Sequence, residues 1–519
     1  MEQTSEKSFS SKVSLNMLSN VVRIGVMALL GLLMVPYYID KLGMAVYGLL
    51  PLATSLTTYV LIASDSLASS FSRYLIMALE SGDDDRAIVT YSSTIIGMTK
   101  AILKIVPVVL ILAFISPYVF QIGSANATDV QLMFAFILLS SLVISFASCL
   151  NSIFYSQNLL YHLYYIKTAY TIIQVGMIII LFMAYGPSLV LIGVSFFVSS
   201  IIYLIWQWIA AKFICPSLYV SRKKYDRALL KEMSALGFWA MLSLIGTMMF
   251  IQTSLILVNL FLGAEIESEF SIVANMISML NTTCMALTAV GEPLIYRYYS
   301  EGDKEKLWST LGLFTKLVGL IVVFPIAYIC IFTTQVLNVW IGYYYEYITI
   351  MARIMVPANI AVCAMHILNC VYLVHSRLRE VAIATCFFGV INVALACILL
   401  AVMQDPVGAS IAWSISILLL SAVFMPLFAS KIMGVSNFMF LKPIVICYTV
   451  FGLLWGAGYF LTEYWTMPSS FLWLIVTVGG GFIVYFILIF FLLLNRNEKS
   501  IVLTYMPQSI QNIVLKFIH

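Results

Sequence analysis

The chain has 519 residues, of which 62% are hydrophobic and only 10% charged, and it carries a formal charge of +4. An ordinary soluble domain has about a quarter of its residues charged, so water is excluded as the main solvent. The lysines and arginines are scattered over connecting loops and form no single basic face, which excludes nucleic acid as a partner.

A run of about 20 apolar residues can cross hydrocarbon as a helix that satisfies its own backbone hydrogen bonds. In chain order such runs fall at about residues 13–38, 45–78, 88–119, 128–155, 163–185, 187–211, 232–260, 266–296, 308–335, 347–374, 380–403, 407–430, 440–462 and 469–494. The first, preceded by Lys7 and Lys12, is too long for a signal-peptide apolar region and lacks a small-x-small cleavage site, so it is expected to remain as a membrane helix. The expected fold is an all-α polytopic membrane protein of about 14 transmembrane helices. After Pro507, residues Ile510, Ile513, Val514, Phe517 and Ile518 follow a helical period, which predicts an amphipathic helix lying on the membrane surface.

The loops divide into two sets. Alternate connections carry Arg73 and Arg86, Lys167, the group Lys212, Arg222, Lys223, Lys224, Arg227 and Lys231, then Arg297, Lys304 and Lys306, Arg377 and Arg379, and Lys431 and Lys442. The opposite set holds only Lys41 and, at a helix start, Arg353. The positive-inside rule then places both termini in the cytoplasm of a cell membrane, which an even number of spans also requires. The nine cysteines lie mostly inside apolar runs without metal-site spacing, so they read as small core residues and no cofactor is expected.

An internal repeat is visible. Leu42-Gly43, an apolar span and Gly82-Asp83 have counterparts 220 residues later in Leu262-Gly263, an apolar span and Gly302-Asp303. Six spans lie between equivalents, so the halves share one orientation, the parallel-repeat arrangement of many transporters. The domain reading is a six-helix bundle at 1–211, a basic cytoplasmic linker at 212–231, a second six-helix bundle at 232–434, an additional helix pair at 435–495 and a tail at 496–519.

Ionisable groups at bilayer depth are functional candidates because each is costly there. Asn16, Asn20 and Arg23 share one face of the first span, and Thr54, Thr58 and Asp65 form a stripe on the second. Ser271, Asn275, Ser278 and Thr282 repeat the stripe on the eighth, with Arg297 at its foot. Lys100 and Lys104 count as roughly 18 to 24 Å into the third span, and Lys316 lies inside the ninth. The reading is a cationic cavity suited to a phosphate or diphosphate, lined by Arg23, Lys100, Lys104, Lys316, Asp65, Asn20, Asn275 and Arg297. Arg353 reads as an interfacial anchor, His366 as a hydrogen-bonded bundle histidine, and Glu232 and Glu292, near cytoplasmic helix ends, as solvated or locally paired carboxylates.

With Leu42-Gly43 and Tyr47-Gly48, Pro293-Leu294-Ile295-Tyr296 before Gly302-Asp303-Lys304, and Val336 to Gly342, the chain resembles the polysaccharide-export flippases, of O-antigen or teichoic-acid type, in the multidrug/oligosaccharidyl-lipid/polysaccharide exporter superfamily. The resemblance implies two six-helix lobes, a central cationic cavity, rocking between two access states, and a polyprenyl-diphosphate-linked glycan as substrate. It also implies a functional monomer working with polysaccharide-assembly proteins. The first span lacks the carboxylate that many multidrug relatives use for cation coupling. The competing readings are an organic-cation antiporter of the same fold and, out of class, a glycan polymerase or acyltransferase. Deep cations oppose the first, and short external loops with four histidines oppose the second, so no enzyme is expected.

Overall fold

The computed structural model describes residues 2–342, 345–464, 470–495 and 498–499. The surface helix expected after Pro507 lies outside the described residues. Among the described residues thirteen helices are long and apolar enough to cross a membrane, and fourteen crossings result if the pair Met241–Met248 and Ile251–Leu262, bent by 40°, forms one span. In chain order the helices are α1 (Glu2–Leu42), α2 (Met44–Tyr47), α3 (Leu49–Glu80), α4 (Asp84–Val119), α5 (Ala127–Ser148), α6 (Asn151–Ser156), α7 (Leu160–Tyr185) and α8 (Leu189–Ile214). The second half comprises α9 (Arg227–Met248), α10 (Ile251–Leu262), α11 (Ala264–Glu301), α12 (Lys304–Ile331), α13 (Thr333–Trp340), α14 (Glu346–Met365), α15 (Leu368–Val374), α16 (Leu378–Met403), α17 (Val407–Leu418) and α18 (Met425–Met433). The additional pair is α19 (Phe438–Tyr464) and α20 (Phe471–Leu488).

The parallel repeat is written into the turns. Asp83 caps α4 by accepting from Arg86 N at 2.9 Å, and Asp303 caps α12 by accepting from Lys306 N at 3.1 Å. The Lys306 side chain, together with that N–H, holds the Asp303 carboxyl below the usual carboxylate range. The left-handed residues pair across the halves: Gly43 with Gly263, Gly82 with Gly302, Gly123 with Gly342, Asn158 with Ser376, and Gly186 with Gln404. Both fourth spans are broken at matching places, Cys149–Leu150 between α5 and α6 and His366–Ile367 between α14 and α15. Only Gly tolerates most of these backbone states freely, so the pattern that marks the repeat in sequence also fixes its loops.

Two compact units form, and they cut across the sequence halves. One contains Met1–Met279, Tyr345–Met351 and Arg377–Leu420; the other contains Leu280–Tyr344, Ala352–Ser376 and the chain from Ser421 onward. In the first, α9 packs on α3 and α16, and α5 sits between α3, α4 and α8. The α9–α16 crossing is close because a Cβ at Gly246 would lie 2.6 Å from Cys386 N and one at Gly389 would lie 2.9 Å from Gly246 O. Small residues let backbones approach in this way where lipid gives no hydrophobic driving force between helices. At the α9–α10 break buried Asn392 supplies Nδ2 to Met249 O at 2.9 Å and to Phe250 O at 3.2 Å, the latter also accepting from Ser254 Oγ at 2.6 Å. Its mate, α1, runs through 41 residues unbroken.

The basic linker is not a loose tether. Ser92 Oγ donates to Tyr219 O and accepts from Ser221 N, Ser93 Oγ accepts from Asp226 N at 2.8 Å, and Lys224 Nζ bonds Asp85 at 2.6 Å. The Asp85 contact raises the Lys224 ammonium above its ordinary value. In the second unit, α19 and α20 pack on α12, where Tyr485 OH donates to Leu320 O at 2.7 Å and Phe324 stacks on the Tyr485 ring.

Candidate functional site

The polar face of α1 divides into an anchoring part and an open part. Asn16 is buried: its Nδ2 donates to Asn158 Oδ1 at 2.8 Å and its Oδ1 accepts from Tyr161 N at 2.8 Å. It therefore fastens α1 to the left-handed turn that opens α7. One and two turns further, Asn20 and Arg23 remain half-buried. Arg23 Nε and Nη2 donate to Asn20 Oδ1 at 3.2 and 3.0 Å, Nη1 reaches Met27 Sδ at 3.2 Å, and the guanidinium lies 5.5 Å from the Tyr164 ring centroid. No carboxylate among the described residues forms an ion pair with it. The Asp65 side chain, considered as its partner or as a cavity group, lies outside the described residues.

A guanidinium has five N–H donors in a planar fork, and these contacts leave part of the fork unused. Asn20 and Tyr164 hold its plane without neutralising its charge. Seven residues of helix separate it from Asn16, so it sits about 10 Å beyond the level of the α6–α7 turn. Such a group can bind phosphate oxygens bidentately at low reorganisation cost.

The other cations expected at depth are placed differently. α4 has 36 residues, about 54 Å of helix against about 30 Å of hydrocarbon, so a residue count along it does not by itself fix depth. Lys100 is exposed, with its ammonium 4.1 Å from the Tyr225 ring centroid of the basic linker. Lys104, one turn further, is also exposed. Lys316 is buried but engaged: Nζ bonds Glu498 Oε2 at 2.8 Å and Leu493 O at 2.6 Å, just past the last span. Arg297 is exposed and paired with Glu301 one turn along α11 at 2.7 Å. Asn275 Nδ2 donates to Tyr47 OH at 3.3 Å. The structure brings Arg23 and Asn20 into contact and pairs Lys316 and Arg297 with carboxylates.

His366 has the hydrogen bond expected of a bundle histidine, its Nδ1 3.0 Å from Thr288 Oγ1. Glu232 accepts from Tyr74 OH at 2.7 Å, a partner 158 residues away, and Arg353 Nε donates to Cys330 O at 3.2 Å. The hydroxyls of the α3 stripe bond carbonyls of their own helix, Thr54 to Pro51 O at 2.9 Å and Thr58 to Thr54 O at 3.1 Å. Three contributors escaped the sequence reading. Tyr164 is one of many tyrosines, and only the α1–α7 packing puts it over Arg23. Asn392 becomes a cap only because α9 and α10 break. Glu267, buried against Gly48 with neither carboxylate oxygen hydrogen-bonded, carried a usable signal, an ionisable residue just inside an apolar run.

The fold is that of multidrug and lipid transporters. An inward-facing multidrug-resistance MATE family transporter of the MOP superfamily superposes with a TM-score of 0.61 at 17% identity, covering 80% of this chain and 99% of that one. The lipid II flippase MurJ, in an inward closed conformation, superposes with a TM-score of 0.64 at 16% identity, covering 92% and 98%. In sequence, the chain is 24% identical over 445 residues to the uncharacterized membrane protein EpsK of Bacillus subtilis, covering 84% of this chain and 86% of that protein. No protein-family model matches the chain. The protein is a multi-pass membrane protein with a MATE- and MurJ-like transporter fold.

Proposed function

We propose that this protein is a flippase that moves a polyprenyl-diphosphate-linked oligosaccharide across the cytoplasmic membrane by alternating access, for cell-surface polysaccharide assembly. The observation that carries the reading is Arg23. A guanidinium held in plane by Asn20 and Tyr164, with donors to spare and no paired carboxylate among the described residues, is suited to a diphosphate. An organic cation would be repelled there, which weighs against a drug antiporter of the same fold. The similarity to a lipid II flippase supports a lipid-linked glycan as the substrate class.

On this reading Arg23 and Asn20 take the diphosphate, Lys104 and Asn275 are further contacts along the path, and Lys100 and Arg297 attract the anionic headgroup at the membrane surface. Asp65 is a further proposed contact. Lys316 acts by fixing the end of the last span. The basic loops and both termini face the cytoplasm, and the protein works as a monomer. The test is transport of a fluorescent polyprenyl-diphosphate oligosaccharide in proteoliposomes, beside efflux of a lipophilic cation from the same vesicles. Glycolipid transport without cation efflux is expected; cation efflux with no transport of any lipid-linked sugar would overturn the proposal.

A further inference from the structure

At the helix ends away from the basic loops, the start of α11 is pressed against α2 and the start of α3. Ser268 Oγ donates to Met44 O at 2.6 Å, and Asn275 reaches Tyr47 OH at 3.3 Å. At Gly48 a Cβ would collide with Ser268 Oγ, Glu267 Oε2 and Ala264 O, so the two backbones are as close as glycine permits. Glu267 is sealed inside this contact with no exposed surface, and neither of its carboxylate oxygens has a hydrogen-bond partner. Its repeat mate, 220 residues earlier, is Tyr47.

A bare carboxylate without donors is about the least tolerable group in such a place, whereas a carboxylic acid is a small polar group of modest cost. Unsatisfied buried polar atoms in a native fold call for an explanation, and an ionisable one within a membrane span is a functional candidate. The titratable and charged groups around Glu267 do not neutralise it. From α1 come Tyr38, stacked on Tyr47, and the Asp40–Lys41 pair, which is exposed and closed on itself at 2.9 Å. α2 contributes Tyr47 itself. α11 adds Glu265, which is exposed, and Glu269, which is buried with one oxygen unpartnered and receives a backbone hydrogen bond from Ile348.

We infer that Glu267 is a proton-binding site whose protonated form holds the α2–α3/α11 contact closed. Separation of α11 from Gly48 admits water, and the carboxyl then releases its proton to that water as a hydronium, leaving a hydrated carboxylate that cannot return to the dry contact. Closing requires the proton back. This inference rests on the alternating-access part of the proposed function and not on its substrate. It supplies a proton-linked step that the first span, lacking a carboxylate, does not.

The test needs no substrate. Spin labels on p-acetylphenylalanine at Lys41 and Glu265, with the native cysteines kept, report the separation of these helix ends by pulsed EPR in nanodiscs between about pH 5 and 9. The expected result is a population of longer distances that grows with pH in the wild type and keeps titrating in Glu267→Asp. Glu267→Gln, which matches the protonated acid in size and polarity, stays at the short distance throughout. A wild-type distribution that ignores pH, or a Glu267→Gln variant that titrates like the wild type, would overturn the assignment. So would loss of the response in Glu269→Gln with a normal Glu267→Gln. Glycolipid transport, measured separately, tests the substrate.

Discussion

Arg23 and Lys316 are both cations inside apolar helices, and their surroundings are opposite. Arg23 touches a neutral amide oxygen, a thioether and an aromatic face, and keeps donors free. Lys316 is charge-paired with a carboxylate, bonded to a carbonyl, and has 9% of its side chain exposed. The contrast teaches that a charge within a span identifies a site only when its partners leave it something to do. An engaged charge holds the fold together, and an open one is available to a ligand.

The largest expected effect breaks the comparison at its open end. Replacing Arg23 by Ala removes the bidentate donor, and transport should fall by about ten- to a hundredfold, the size of one to two charge-assisted hydrogen bonds, with thermal unfolding in detergent unchanged. Arg23→Lys should retain part of the rate, since charge survives and the planar fork does not. At the engaged end the readouts exchange places. Lys316→Ala strands Glu498 with little solvent and should cost about 3 kcal/mol, seen as a lowered unfolding midpoint, with the transport rate per folded molecule preserved. Combining Lys316→Met with Glu498→Leu should recover most of that loss, which a double-mutant cycle would report directly.

A third variant sharpens the comparison without touching charge. Asn392→Ala removes the side-chain donor to Met249 O at the break of the seventh span, while Phe250 O keeps Ser254 Oγ at 2.6 Å, and should cost about 1–3 kcal/mol in thermal unfolding. The smallest effect belongs to Lys100→Ala. Its ammonium rests on Tyr225 at the exposed linker, so stability should not shift and the lost headgroup attraction, screened at physiological salt, should slow transport by less than about twofold.

The fold was legible in the sequence because bilayer physics leaves few options: fourteen apolar runs, alternate basic loops and Gly43/Gly263 already imply the helices and their parallel repeat. Asn20 and Arg23 were legible as one face because helical periodicity alone places them together. Depth was not legible. α4 at 36 residues is longer than a hydrocarbon layer of about 30 Å requires, so a residue count along it does not fix the depth of Lys100, and nothing local announces that Glu498, 182 residues away, closes on Lys316. Partners from distant elements, Tyr164 for Arg23 and Asn392 for the broken helix, come only from packing.

The most direct test is a single side-by-side measurement: initial rates of lipid-linked oligosaccharide transport in proteoliposomes for wild type, Arg23→Ala and Lys316→Ala, each normalised to the folded protein reconstituted. The account predicts collapse in Arg23→Ala and a near wild-type rate in Lys316→Ala. Equal losses in both, or full transport in Arg23→Ala, would contradict it.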